Sequence, residues 1–202
     1  MSDLTIKYYD DNAEAFYDST VNADMSFQYN FFLKHLSKGA HILDLGCGSG
    51  RDSKYFIENG YTVEAIDGSL ELCKRASGLI NQPVKHLLFQ DLDYHNQFDG
   101  IWASASLLHV PLDELTIIFH KASAALKTNG IFYVSFKYGH YSGVRNGRYF
   151  TDLTNDKVSE ILKNIGYFQI VECHETDDVR PDRSNEKWIN LILKKIKFLT
   201  HY

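Results

Sequence analysis

Cysteine is scarce in this 202-residue chain: Cys47, Cys73 and Cys173 are odd in number, widely spaced and never in a Cys-x-x-Cys pair. That leaves no disulfide framework and no zinc-finger spacing, and it fits a reducing compartment. Long apolar runs are missing too. No segment reaches eighteen uninterrupted apolar residues, so no transmembrane helix is expected. The opening residues, Met-Ser-Asp-Leu-Thr, lack the basic region and apolar stretch of a secretory signal, and a cytoplasmic location is the expectation. Positive charge is in deficit: 21 Lys and Arg against 26 Asp and Glu leave a net charge of -5, which disfavours a sequence-independent grip on phosphate backbones. Nucleic acid is therefore not an expected partner. The densest basic run, Lys194-Lys195-Ile196-Lys197, reads as a solvated sheet edge. Asp91, Asp93 and His95 alternate, but no second ligand cluster accompanies them, and no metal is expected.

What is present is a core and a glycine turn. At 44% hydrophobic, 202 residues can bury a proper core without staples, and one domain over 1–202 is expected. From residue 40 onward short β-rich runs alternate with helical stretches: strands at His41 to Leu45, Tyr61 to Ile66, Val84 to Phe89, Gly100 to Ala103 and Ile131 to Phe136, helices at Ser53 to Asn59, Ser69 to Ile80 and Leu112 to Lys127. Asn129-Gly130 is placed to end the last of these helices. The pattern predicts an α/β fold with a doubly wound, mostly parallel sheet. After a helix at Asn155 to Asn164, Tyr167 to Cys173 and Trp188 to Leu193 follow with no long helix between them, which predicts a C-terminal antiparallel hairpin. Residues 1–38 read as a helical cap and 39–202 as the sheet core.

Ile42-Leu43-Asp44-Leu45-Gly46-Cys47-Gly48-Ser49-Gly50 is an apolar strand running into a turn whose alternate residues are glycine, so nothing bulky bars a ligand from the backbone. About twenty residues on, Val63-Glu64-Ala65-Ile66-Asp67 ends a second strand on a carboxylate suited to the two hydroxyls of a ribose. The glycines are one residue closer than in the dinucleotide fingerprint. This Asp-Leu-Gly-x-Gly-x-Gly form with its downstream acid resembles motifs I and II of class I S-adenosylmethionine-dependent methyltransferases, of the small tellurite-resistance-type group. That resemblance, which runs over almost all of residues 1–196, implies a Rossmann-like seven-stranded sheet, an N-terminal helical lid, S-adenosyl-L-methionine as donor and S-adenosyl-L-homocysteine as product.

Residue by residue, the resemblance places Asp44, Gly46, Cys47, Gly48, Asp67 and Gly68 on the donor. It adds Asp91 and Leu92 of Gln90-Asp91-Leu92 at the adenine, and Ala103 beside the sulfonium. His109, in Leu107-Leu108-His109-Val110, becomes the candidate catalytic residue. In the cap, Tyr9, Ala13, Phe16 and Tyr17 fall at helical spacing. Tyr9 is assigned to the donor and Tyr17 to the acceptor. The loop around 137–150, with glycines at 139, 143 and 147 among aromatics and bases, reads as a flexible acceptor lid supplying Lys137, Tyr141 and Arg148; a second wall near 175–187 would supply Arg180. No Asn-Pro-Pro-Tyr or Asp-Pro-Pro-Tyr segment follows the fourth strand, so a small-molecule acceptor is expected rather than an adenine or glutamine amide. Two other classes stay open on the residues alone: an NAD-linked oxidoreductase and a non-catalytic donor-binding sensor or scaffold.

Overall fold

The computed structural model describes residues 3–180, 183 and 185–196. Three helices come first: α1 (Asp3–Asp11), α2 (Ala13–Thr20) and α3 (Ser26–Leu33). Then β1 (His41–Leu45), α4 (Arg51–Glu58), β2 (Thr62–Asp67), α5 (Leu70–Ile80), β3 (Lys85–His86), β4 (Phe98–Ala103), α6 (Leu112–Ala125) and β5 (Leu126–Lys137) alternate. A small hairpin, β6 (Ser142–Arg145) and β7 (Arg148–Thr151), precedes α7 (Asn155–Ile165), β8 (Phe168–Asp177) and β9 (Lys187–Lys195).

Seven strands form one sheet in the order β3-β2-β1-β4-β5-β9-β8. The first five are parallel, and β9 runs antiparallel to both β5 and β8. Both faces must be covered, because successive side chains point to opposite sides. Phe132, Val134 and Phe136 of β5 enter one apolar cluster with Leu115, Ile118 and Phe119 of α6 and Val158 and Leu162 of α7. Ile131 and Tyr133 enter the other, with Phe31 and Phe32 of α3, Phe56 of α4 and Ala76 of α5. Strand order reverses between β1 and β4, which opens a crevice at the carboxyl ends of the strands there.

Several expected boundaries move. The third strand is reduced to Lys85–His86, because Phe89–Asp91 turns as a short 3-10 helix. Helix α6 stops at Ala125, before Asn129-Gly130: Leu126 already pairs with Phe98, and Asn129 (φ 64°) kinks the strand instead of ending the helix. Residues 142–151 form a hairpin, not a flexible loop. Asn146 and Gly147 both take positive φ (50° and 75°), the two-residue turn that matches strand twist. Strand β9 lies between β5 and β8, so Lys194 and Lys195 end an interior strand rather than an edge, and Lys195 donates to Leu126 O. Lys197 lies outside the described residues. Among the described residues, no helix is long and apolar enough to cross a membrane.

Candidate active site

The glycine turn is built by three different close approaches. Gly46, Gly48 and Gly50 all have positive φ (87°, 55° and 82°). A Cβ on Gly46 would stand 2.6 Å from the Ser106 Cβ, and one on Gly48 would stand 3.1 Å from the Phe16 ring. On Gly50 it would meet Ala76 of α5 at 3.0 Å, so the third glycine serves helix packing and the first two serve the crevice. The turn is pinned from below, where the Gly46 and Cys47 N–H groups both donate to Ile66 O at 3.0 Å.

Asp67, at the end of β2, lies on the cavity wall beside that turn. Its two carboxylate oxygens accept from Gly48 N (2.9 Å) and Ser69 N (2.8 Å), which leaves each a lone pair that these bonds do not use. Burial raises its pKa, and those two backbone donors offset only part of the rise. Asp10 of α1 reaches the same corner, accepting from Ser69 Oγ (2.6 Å) and Glu71 N (3.2 Å) at the start of α5. The cap is thereby fastened over the turn.

Behind the turn sits a saturated carboxylate. Asp52 accepts from Tyr29 Oη (2.7 Å), Trp102 Nε1 (2.8 Å) and the Arg51 fork (2.6 and 3.0 Å). Burial opposes its charge, but the Arg51 guanidinium and these bonds hold its pKa below the usual carboxylate range. Arg51 also donates to Thr20 O, tying α2 to α4. Asp44 is buried off the cavity, where its carboxylate accepts from Ser53 Oγ at 2.6 Å. Burial and the nearby Asp52 raise its pKa well above the ordinary value, and the Ser53 bond ties β1 to α4. Cys47 lines the cavity, and its thiol is likewise pushed well up by burial.

At the end of β4, Ser104, Ala105 and Ser106 form the opposite wall. Ala105 takes φ 51°, unusual for a residue with a Cβ, and its N–H donates to Ser135 Oγ at 2.8 Å. Ser106 Oγ donates to Leu45 O at 2.6 Å. Just beyond, His109 is 3% exposed and bonded at both ring nitrogens: Nδ1 to Tyr149 O (2.6 Å), Nε2 to Tyr9 Oη (2.8 Å). A carbonyl only accepts, so Nδ1 carries the proton and Nε2 accepts from the Tyr9 hydroxyl. Burial lowers the His109 pKa to about 3, keeping the ring neutral at physiological pH. Arg148 Nη1 in turn donates to Tyr9 Oη at 3.3 Å. Burial raises the Tyr9 pKa, against the pull of Arg148.

Of the residues singled out from the sequence, Tyr9, Gly46, Cys47, Gly48, Asp67, His109, Lys137, Arg148 and Arg180 line this one cavity. The others stand elsewhere, each for a local reason. Gly68 packs under Ile6 of α1. Asp91 faces solvent on its 3-10 turn, Leu92 points into the core, and Phe89 takes the cavity wall instead. Ala103 ends β4 with its methyl in the core, one residue short of the opening. Tyr17 misses the cavity, while Phe16, about two helical turns after Tyr9 and so nearly in line with it, lines it. Tyr141 is exposed and stacks on Arg145, 4.8 Å from ring centroid to guanidinium carbon.

Residues the sequence reading passed over complete the walls: Gln28, Arg51, Tyr133, Trp188 and Asn190. Arg51 directly follows the glycine motif and was open to notice there. The rest arrive through tertiary packing, as when Tyr133 stacks on Trp102 (3.9 Å between centroids) and donates to Asn190 Oδ1. Gln28 is 6% exposed, and its Oε1 has no hydrogen-bond partner. Among the described residues there is no group of three or more His, Cys, Asp and Glu arranged to hold a metal.

Comparison with known proteins gives these features a setting. Residues 17–158 match the family model described as a methyltransferase domain. An uncharacterized methyltransferase of Synechocystis is 33% identical over 101 residues, 48% of this chain and 47% of the relative. The chain spans about half or less of the length of the curated relatives it matches. Among solved structures, a Burkholderia thailandensis 1,6-didemethyltoxoflavin N1-methyltransferase, with 1,6-didemethyltoxoflavin and S-adenosylhomocysteine bound, superposes with TM-score 0.77 at 23% identity, covering 95% of this chain and 85% of that one. The cyclase SpnF superposes with TM-score 0.71 at 16% identity, covering 94% of each.

Proposed function

Because the chain belongs to the methyltransferase-domain family, we propose that it transfers a methyl group from S-adenosylmethionine to a small-molecule acceptor. The observation that carries this reading is Asp67, which braces the Gly48 N–H and lines the cavity beside a turn open to a ligand's backbone approach. A dinucleotide reading fits less well, since the turn is one residue short of the pyrophosphate fingerprint and the sheet closes on a reversed strand.

The residues divide the work along the cavity. Asp67 would accept the ribose hydroxyls, and Phe89 and Leu72 would flank the adenine. Gln28 Oε1, buried without a partner, suits the ammonium of the donor's amino-acid tail. The donor brings a methyl carbon already activated by its sulfonium, so the protein's task is alignment of the incoming nucleophile. Ser104 to Ser106 keep the wall at that junction low. His109 serves as a positioning residue: its fixed tautomer holds the Tyr9 hydroxyl at the boundary between the donor and acceptor halves. With a pKa near 3 it would be a weak base, which favours an acceptor already ionised or needing no prior deprotonation.

Thermal denaturation with S-adenosylhomocysteine, using NAD and NADP as controls, tests the donor assignment. Saturation at a hundred times the dissociation constant should stabilise by about 2.7 kcal/mol, or roughly 5 to 11 °C. Asp67→Ala should abolish most of that shift. It should also lower the unliganded melting point, because the Gly48 N–H loses its acceptor, at a cost of about 1 to 3 kcal/mol. A shift with NAD alone, or an equal shift in Asp67→Ala, would contradict the reading.

A further inference from the structure

Arg148 is set apart from the other cations of the cavity. Arg51 pairs with Asp52, Lys137 with Glu186, Arg180 with Asp178, and Arg183 lies 4.0 Å from Glu186. Arg148 has no acidic partner among the described residues. Its guanidinium carbon stands 4.5 Å from the Tyr8 ring centroid, 5.2 Å from Phe150 and 5.6 Å from Tyr9. Nη1 donates to Tyr9 Oη, and Nε is buried with no hydrogen-bond partner at all.

This cation is held rather than trailing in solvent. The Asn146-Gly147 turn reverses the chain immediately before it, and β7 carries it to the cavity wall. Helix α1 closes on that strand: Tyr8 packs where a Gly147 side chain would be, and Thr5 Oγ1 accepts from Tyr149 N at 3.0 Å. A guanidinium presents its donors as a planar fork that fits the two oxygens of a carboxylate. Aromatic faces on its flanks leave the fork's edge as the route to a hydrogen-bonding partner. A buried donor left unpaired in a native fold calls for an explanation, and a ligand group is the one the cavity supplies.

Resting on the methyl-transfer reading above, we propose that the acceptor carries a carboxylate gripped by Arg148, attached to an apolar body that seats against Phe150 and Tyr9. The carboxylate is an anchor that orients the acceptor; the account does not require it to be the methylated group. A single planar cation bedded in aromatic rings suits a carboxylate on a hydrophobic skeleton better than a polyanion, for which the paired arginines and lysine of the cavity leave little free positive charge.

Calorimetric titration tests this with benzoate, phenylacetate and hexanoate, each beside its primary amide, against the wild type and Arg148→Gln, with and without saturating S-adenosylhomocysteine. At least one carboxylate should bind the wild type ten or more times more tightly than its amide. Arg148→Gln should erase that preference while leaving amide affinity alike. Arg148→Lys, which keeps the charge and loses the fork, should retain only part of it and serves if the Gln variant does not fold. The proposal falls if no carboxylate outbinds its amide in the wild type, or if the preference survives undiminished in the variants. Absence of S-adenosylhomocysteine binding would sink the methyl-transfer reading separately, since the carboxylate preference is also read without it.

Discussion

His109 shows how one buried side chain links the chemistry to stability. Its ring is neutral in the fold, with the pKa lowered to about 3 by burial, while in the unfolded chain it titrates near 6.5. As pH falls, the unfolded chain takes up the proton first. The contribution is therefore complete above about pH 6.5 and is lost progressively as pH drops toward 3. At pH 5 the loss amounts to about 2 kcal/mol. Urea unfolding at pH 7.5 and pH 5 should show the wild type losing about 2 kcal/mol more than His109→Gln; parallel losses would mean that the imidazole is not the buried neutral group described. Asp67 and Gly48 are legible at this scale because their signal is local, a carboxylate at a strand end and a glycine where φ is positive. The isolation of Arg148 is not local. It depends on which acids the fold brings to the neighbouring cations, and no spacing in the sequence encodes that.

Elements tell a similar story with a different cause of error. Alternation of β-rich and helical runs identifies the doubly wound sheet, and the missing helix before β9 identifies the reversed hairpin. Residues 137–150 were harder, because three spaced glycines read as flexibility while the Asn146-Gly147 pair, the actual hairpin signal, was available among them. In the cap the choice within the stripe was at fault: Phe16, about two turns after Tyr9, reaches the glycine turn, and Tyr17 is rotated away from it. Helix α1 and the β6–β7 hairpin are fastened to each other through Gly147 and Tyr8. A Cβ at Gly147 (φ 75°) would lie 2.9 Å from Tyr8 Cδ2. Gly147→Val should cost more than about 1 kcal/mol, from strain at positive φ and from this contact. It should also speed amide hydrogen exchange throughout α1, and α1 exchange unchanged in the variant would show that the clasp does not hold the cap.

For the whole molecule, the fold and the chemistry are separable claims. The fold is shared by a methyltransferase and by a protein described as a cyclase, at TM-scores of 0.77 and 0.71, so architecture alone does not assign a reaction. In this chain the cap, the glycine turn, the β4 end and the β6–β7 hairpin meet around one cavity at the β1/β4 switch point. The donor site proposed above is Asp67 and the glycine turn in that cavity. A crystal structure of the protein with S-adenosylhomocysteine measures this most directly. The account predicts ribose hydroxyls within hydrogen-bond distance of the Asp67 carboxylate and the amino-acid tail running past Gly46 and Gly48 toward Gln28. Well-ordered ligand bound away from Asp67, with the glycine turn untouched, would contradict it.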